Sequence, residues 1–426
     1  MARPHHRTRS GYFRNRTVVI LVAGALAAMF FAVPGPADAA ARATNDRGSL
    51  GSPHPAIGRA VTVGMISDGG SGTVATAPLV EQGAHAAVAY ENEYGDGLDG
   101  HRIDLFICEN QETPAGGQLC ANDMVQHAVV AVVEPFTGQG QTEVPTIVKA
   151  GIPYITMSAQ STAELTTSGA FALQGGFAAI LGAVALQARQ EGYKKVALIV
   201  ANVPAVVEGA TAVGDLVFKA AGVGLNIVAV DPGTSDMTPQ LQAAVTNGAS
   251  AIGVAGDVTL CGSFLRAYAT LGLTLPRYVV ATCLDPSILD SASLDRVMRG
   301  SWLAGAGTAS PAQDALYAGI VRTFTPRVNA NPNASANVLA GMLPILSLAE
   351  IMRGYAGSTV SPAAVRERTA TLKAVPIPMF GSTTFTCNGT AIPLLPSVCS
   401  STAAIGVVGD GYAVRDVKNY NPTRLF

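Results

Sequence analysis

Charge is scarce in this sequence: Asp, Glu, Lys and Arg make up 13% of 426 residues. The 27 basic residues nearly balance the 29 acidic ones, which gives no support for a nucleic-acid partner. Catalytic signatures are missing too. There is no G-x-S-x-G elbow for a serine hydrolase, and no H-E-x-x-H or i,i+4 histidine pair for zinc chemistry. Gly69-Gly70-Ser71-Gly72 lacks both the lysine of a phosphate loop and the spacing of a dinucleotide fingerprint, so it reads as a turn that lets a ligand approach. Asp96 and Asp99 lack the regular acidic spacing and terminal Glu of a calcium loop and read as turn residues. Beyond residue 40 no apolar run approaches membrane-spanning length.

What is present is apolar. The AVILMFWYC fraction is 49%, ample for large cores and incompatible with general disorder. The length corresponds to two or three globular units. The N-terminus reads as an export signal. Five arginines (Arg3, Arg7, Arg9, Arg14, Arg16) precede Val18–Val33, an unbroken apolar run of 16 residues. Pro34-Gly35-Pro36 ends that run, and Ala37-Asp38-Ala39 supplies the small residues of a cleavage site. A spanning helix needs about 20 apolar residues, so a cleaved signal over 1–39 is favoured over a permanent anchor. No cysteine follows the run to carry a lipid. Without residues 1–39 the chain has 22 basic and 28 acidic residues, a net charge of −6. The expected location is extracytoplasmic, in the periplasm or cell envelope.

Cysteine usage fits export. Cys108, Cys120, Cys261, Cys283, Cys387 and Cys399 allow 15 pairings in principle. Proximity in sequence favours 108–120, 261–283 and 387–399. Zinc is the alternative, but there is no C-x-x-C, and disulfides are the default in an oxidising compartment.

After a flexible lead-in at 40–59, strands and helices alternate. Short Val- and Ile-rich runs read as strands: Val61–Asp68, Arg102–Cys108, His127–Val133, Ile152–Thr156, Lys195–Val200, Leu225–Val230, Ala251–Val254 and Tyr278–Thr282. Helical spacing fills the intervals, and a β-rich tail starts at Pro376. Near-continuous apolar strands are those of parallel sheets covered on both faces. Alternation of this kind gives an α/β fold with doubly wound, Rossmann-like sheets. So many strands in one sheet would be unusually wide, which favours two lobes.

At this point the chain resembles type I periplasmic solute-binding proteins, in the branched-chain amino acid (Leu/Ile/Val) branch that serves ABC importers. The resemblance rests on VTVGMISD with its Gly-rich turn, QGAHAAVAYENE, GLDGHRIDLFICEN and VVAVVEPFTGQGQTEVPTIVKAGIPYITMSAQSTAELT, followed in order by KVALIVAN, ASAIGVAGD and VLAGMLPILSLAEIMRG. It spans nearly all of 60–420. It implies two lobes joined by a three-segment hinge, with crossings near 172–176, 302–307 and 376–382. Lobe 1 is then 60–174 plus 307–375, and lobe 2 is 175–306 plus 376–426. Trp302 falls near the second crossing.

Ligands of open α/β sheets bind beyond the carboxyl ends of the strands. Those loops are Asp68–Thr73, Phe136–Gln141 and Ser158–Thr162 in lobe 1, and Ala201–Val206, Gly256–Thr259 and Cys283–Asp285 in lobe 2. The resemblance places ligand contacts at Thr137, Gly138, Ser158, Ala159 and Gln160. Ser71, Val206 and Asp257 complete the candidate set. Small polar residues at such positions also serve ordinary turns, and Asp257 reads equally as an exposed turn carboxylate. Of the histidines after residue 40 (His54, His85, His101, His127), none lies in these loops.

Lobe 2 departs from the family's amino-acid pattern. The position matching its ammonium-pairing acid is Leu260, and Asn202-Val203-Pro204 stands where relatives have an aromatic followed by Gly. An unpaired ammonium in a closed cleft costs several kcal/mol. The expected ligand therefore has an acidic or neutral polar head and an apolar body, and is not a standard branched-chain amino acid. The expected function is capture of a small organic ligand between the lobes and delivery to the membrane permease of an ABC transporter. Neither cofactor nor catalytic residue is expected, and a monomer is. An extracytoplasmic sensor signalling to a membrane receptor is the alternative. A secreted hydrolase is the third reading, and it lacks a histidine in the cleft loops.

Overall fold

The computed structural model describes residues 49–69, 77–202, 204–285, 287–289, 292–305, 310–332, 335–357, 359–393 and 395–426. The export signal expected at 1–39, the start of the lead-in and Ser71 lie outside the described residues. Among the described residues no helix is long and apolar enough to cross a membrane.

The apolar runs form two sheets. The first holds β1 (Gly58–Ser67), β2 (His101–Glu109), β3 (Val132–Glu134), β4 (Tyr154–Thr156) and β5 (Ala170–Ala172). All are parallel, in the order β2-β1-β3-β4-β5. Parallel neighbours need crossovers, and α1 (Ala77–Tyr94), α2 (Pro114–Gln126), α3 (Gly140–Lys149) and the short α4 (Thr162–Thr166) provide them. α5 (Gly176–Gln190) then leads into the second sheet. There β6 (Lys195–Ala201), β7 (Gly224–Val230), β8 (Ala251–Ala255), β9 (Arg277–Val279) and β10 (Trp302–Ala304) run parallel in the order β7-β6-β8-β9-β10. Their crossovers are α6 (Pro204–Ala221), α7 (Thr238–Thr246), α8 (Val258–Thr270) and α9 (Ala292–Met298). The two lobes thus share one winding plan.

Successive residues of a buried parallel strand serve opposite faces, which is why the strands show no alternation. Met65 lies in one core with Ile155 and Leu343, while its neighbour Ile66 lies in the other with Val132 and Met124. The first of these cores is completed from far along the chain by α10 (Pro311–Phe324), α11 (Ala336–Met352) and α12 (Pro362–Thr371). α11 lies tightly against α1. A Cβ on Gly83 would sit 1.9 Å from the Val338 carbonyl oxygen, and one on Gly341 would sit 1.8 Å from that of Val80.

The tail corrects one expectation. Residues 376–399 were expected with lobe 2. The short pair β11 (Val375–Pro376) and β12 (Thr384–Phe385) instead puts Val375, Ile377 and Phe385 into the first lobe's core. Ser397–Cys399 runs beside β5: the Ala172 amide donates to Ser397 O, and the Cys399 amide donates to Ala172 O, both at 2.8 Å. Only β13 (Ala403–Val408) and β14 (Val414–Tyr420) join the second sheet, antiparallel, beyond β10. The last crossing therefore falls after Cys399 rather than at 376–382. A β-rich tail carries no local mark of which sheet it will cover.

β5, β10, α4, α9 and α12 were not anticipated. Strands of three residues and helices of two turns are too short to show a period. α12 buries only Ala364, Val365 and Thr369, so its apolar stripe is faint.

Backbone against backbone leaves the α1–α11 contact no way to relax. Gly341→Ala should lower unfolding stability by about 1–3 kcal/mol. Gly209→Ala, where a Cβ meets nothing within 4 Å, should be neutral or stabilising. Chemical denaturation of the two variants checks this.

Candidate functional site

In a doubly wound sheet the ligand crevice opens where neighbouring crossovers leave in opposite directions. In the first sheet that switch lies between β1 and β3, and in the second between β6 and β8.

At the first switch, Asp68 follows the last residue of β1. Its carboxyl accepts hydrogen bonds from Asn110 Nδ2 at 2.7 Å, Thr137 Oγ at 2.8 Å and the Gly138 amide at 3.3 Å. The loops after β1, β2 and β3 are thereby tied together. Thr137 is fully buried. Its hydroxyl donates to Asp68 and accepts from the Gln139 amide at 2.9 Å and Asn110 Nδ2 at 3.2 Å. One donor and two lone pairs are then used, so Thr137 shapes the loop from within. Gly138 is exposed, and a Cβ there would meet nothing within 4 Å. Its face is open to an incoming group.

The loop after β4 carries the other three candidates of lobe 1. Ser158 is half-buried, and its hydroxyl faces the start of α5: a Cβ on Gly176 would lie 3.2 Å from Ser158 Oγ. Gly176 has φ +54°, a conformation that disfavours any side chain. The Ala159 side chain is buried with Ala172, Ala178, Ile392 and Val398, a small cluster drawn from both lobes. Gln160 is exposed, but its amide donates to Glu164 Oε2 at 3.0 Å.

On the second sheet, Val206 lies in the first turn of α6 and packs, half-buried, on the lobe's own core. Asp257 is exposed and caps α8, accepting from the Leu260 amide at 2.8 Å. Leu260 itself is buried in the core. The disulfide Cys261–Cys283 joins the start of α8 to the turn after β9, so the helix that follows one strand end is covalently linked to the loop at another. Cys108–Cys120 and Cys387–Cys399 also pair as proximity in sequence favoured.

Sequence reasoning missed what lies beneath the loops. Glu134 ends β3, Tyr154 starts β4, Glu143 lies on α3 and Glu164 on α4. All four are buried. Tyr154 hydroxyl contacts Glu134 Oε2 and, at 3.2 Å, Glu164 Oε1. Glu164 Oε2 also accepts from the Ser161 amide and hydroxyl, both at 2.8 Å, closing a capping box on α4. Glu143 Oε1 accepts from Asn110 Nδ2 at 3.0 Å. Burial pushes the Glu143 carboxyl up to about 7, against the lowering effect of the Asn110 bond. Burial, reinforced by Glu143 and Asp68, raises Glu134 well above the usual carboxyl range. Burial also raises Glu164, partly offset by its bonds from Gln160 and Ser161. The available signals were the S-x-x-E box at Ser161–Glu164 and an acid closing an apolar strand at Glu134.

Two cavities lie away from these loops. One of about 20 Å³ is an apolar gap in lobe 2 between Phe177, Leu198 and Tyr278. The other, about 280 Å³, sits at the opposite edge of the first sheet and is lined by His54, Asp96, Asp99 and Arg353. There Asp96 and Asp99 adopt φ of +67° and +52° in the turn before β2. Among the described residues no group of three or more His, Cys, Asp or Glu is arranged to hold a metal ion.

A family model described as periplasmic binding protein matches residues 60–395. No curated protein matches the sequence. Several solved structures share the fold. An ABC transporter substrate-binding protein from Sphaerobacter thermophilus is 18% identical, with TM-score 0.67 over 86% of this chain and 99% of that one. The branched-chain amino acid transporter substrate-binding protein of Streptococcus pneumoniae, in complex with isoleucine, is 16% identical, with TM-score 0.65 over 85% and 100%. A solute-binding protein of an ABC transporter from R. palustris, in complex with 4-hydroxybenzoate, is 16% identical, with TM-score 0.66 over 85% and 98%.

Removing the Thr137 hydroxyl takes a partner from buried Asn110 and from half-buried Asp68 and Gln139. Thr137→Val should cost about 1–3 kcal/mol of stability, and Thr137→Ser, which keeps the hydroxyl, should cost less. Equal losses in urea unfolding would show that the network does not hold these loops.

Proposed function

The chain belongs to the periplasmic binding protein family, and from that premise we propose that it captures a small organic ligand between its two lobes and hands it to the permease of an ABC importer on the outer side of the membrane. The observation that carries this reading is the doubled switch point. Each lobe has a switch point at its strand ends, where an α/β sheet accommodates a ligand, and the chain passes between the lobes by closely apposed segments. A Cβ on Gly175, just before α5, would lie 2.7 Å from the Ser400 carbonyl oxygen in the last crossing. Short apposed crossings with small residues are what a closing motion bends. Closure around the ligand then shifts the population toward the form that a permease recognises.

The ligand's polar head is neutral or singly anionic, and its body is apolar. None of the loops following the ten parallel strands contains Lys or Arg, so no fixed cation is available for a multiply charged anion. Backbone amides and hydroxyls remain as donors. In lobe 2 the Asp257 carboxyl is engaged as a helix cap, and Leu260 stands where an ammonium partner would be expected. An aromatic acid such as the 4-hydroxybenzoate held by the R. palustris structure fits this description better than a zwitterionic aliphatic amino acid.

Titration calorimetry of the purified protein against 4-hydroxybenzoate, leucine, isoleucine and valine tests the ligand class. The expected outcome is binding of the aromatic acid and none of the amino acids. Micromolar binding of any of the three amino acids overturns it. Ligand at a hundredfold excess over Kd adds about 2.7 kcal/mol of stability, so a thermal-shift screen widens the search.

A further inference from the structure

We propose that Glu134 and Glu164, joined through Tyr154, and Glu143 beside them are positioning residues that hold the ligand loops of lobe 1 in place only while they share protons, so that ligand capture weakens as pH rises toward and through neutral. The link to capture rests on the function proposed above; the proton network itself does not.

Valence requires a proton. The Tyr154 hydroxyl has one hydrogen and lies between two carboxyl oxygens, one from Glu134 and one from Glu164. With both acids ionised, one of these contacts would be a bare oxygen–oxygen repulsion. Glu164 Oε2 already accepts from three donors: the Gln160 amide and the Ser161 amide and hydroxyl. It is therefore equipped to carry charge. Glu134 is not: no other described residue donates to its Oε1 or to Oε2 of Glu143, and the Glu134 and Glu143 carboxyls are within hydrogen-bond reach of each other, which also requires a proton. The proton thus belongs on Glu134, which donates to Tyr154, while Tyr154 donates to Glu164.

Among the described residues the surroundings supply no counter-charge. The titratable groups facing the cluster are Asp68 from the end of β1, Tyr154 from β4, and the three glutamates themselves. The end of β2 contributes the uncharged Asn110. α2 faces it with Gly117, where a Cβ would lie 3.2 Å from Glu143 Oε1, and α3 presents Gly140 to the Glu164 carboxyl. Ionising a second or third carboxyl therefore sets like charges together in a dry space.

The loops hang on these acids. Glu164 holds the amides of Gln160 and Ser161, and Glu143 holds Asn110, which holds Asp68 and through it Thr137 and Gly138. The sign follows from the Glu143 carboxyl, at about 7 in the fold against 4.5 ordinarily. A raised folded value favours the fold in acid: its contribution is full below about pH 4.5 and is lost as pH rises through 7.

Hydrogen exchange of the purified protein between pH 5.5 and 8.5, corrected for intrinsic rates, reads the loops directly. Opening of segments 135–141 and 158–164 should rise about tenfold across this range, while β6 and β8 of lobe 2 change by less than about twofold. Glu143→Gln copies the protonated acid and keeps the Asn110 acceptor, so it should reduce the rise to less than about threefold. Glu134→Gln should do the same and guards against a fold defect in the first variant. An equal pH response in both lobes, or an unaltered rise in both variants, overturns the proposal. The second arm measures the Kd of 4-hydroxybenzoate and isoleucine at pH 6 and 8.5. For whichever probe binds, Kd should rise about tenfold in the wild type and less than about threefold in Glu143→Gln. A pH-independent Kd with loosened loops overturns the link to capture. If neither probe binds, the ligand class proposed above fails, while the exchange arm still decides the network.

Discussion

A carboxyl group taken out of water must find donors, a counter-charge or a proton. Lobe 1 buries Glu134, Glu143 and Glu164 with no counter-charge facing them among the described residues, and its strand-end loops are arranged around that constraint. Tyr154 bridges two of the acids. Asn110 connects the third to Asp68. From there the bonds pass to Thr137 and Gly138. The loops that would receive a ligand are therefore ordered from below, by groups that never meet it. In the proposed function, the exposed face of Gly138 and the hydroxyl side of Ser158 are the parts left to meet the ligand.

The lobes are held together differently. The first crossing runs through Gly175 and Gly176, and the last leaves a segment pinned beside β5 and clamped by Cys387–Cys399. Ala159, Ala172, Ala178, Ile392 and Val398 form a small apolar cluster at this junction. Small side chains bring the backbones close without a bulky interlock. In lobe 2 the start of α8 is tied covalently to the turn after β9 by Cys261–Cys283.

Most of the architecture was legible because it is written in local patterns. Val61–Asp68 and Lys195–Val200 are apolar runs of strand length, and both are strands. The β1/β3 and β6/β8 switch points follow once the winding is known. The candidate site was legible only by location. Thr137 lies in the right loop, but its hydroxyl turns inward to Asp68. Asp257 lies in the right loop and caps a helix. Whether a polar side chain faces the crevice or its own backbone depends on partners such as Asn110 and Asp68, dozens of residues away.

By itself the sequence determined the apolar periodicity and the strand–helix alternation, and its cysteine spacing favoured the three pairs that the structure shows, since all of these are properties of neighbouring residues. Only the tertiary structure decided that 376–399 covers the first lobe, that Gly83 and Gly341 lock α1 to α11, and that three glutamates meet around one tyrosine. Those outcomes depend on which distant surfaces exclude water together, and no local pattern records that.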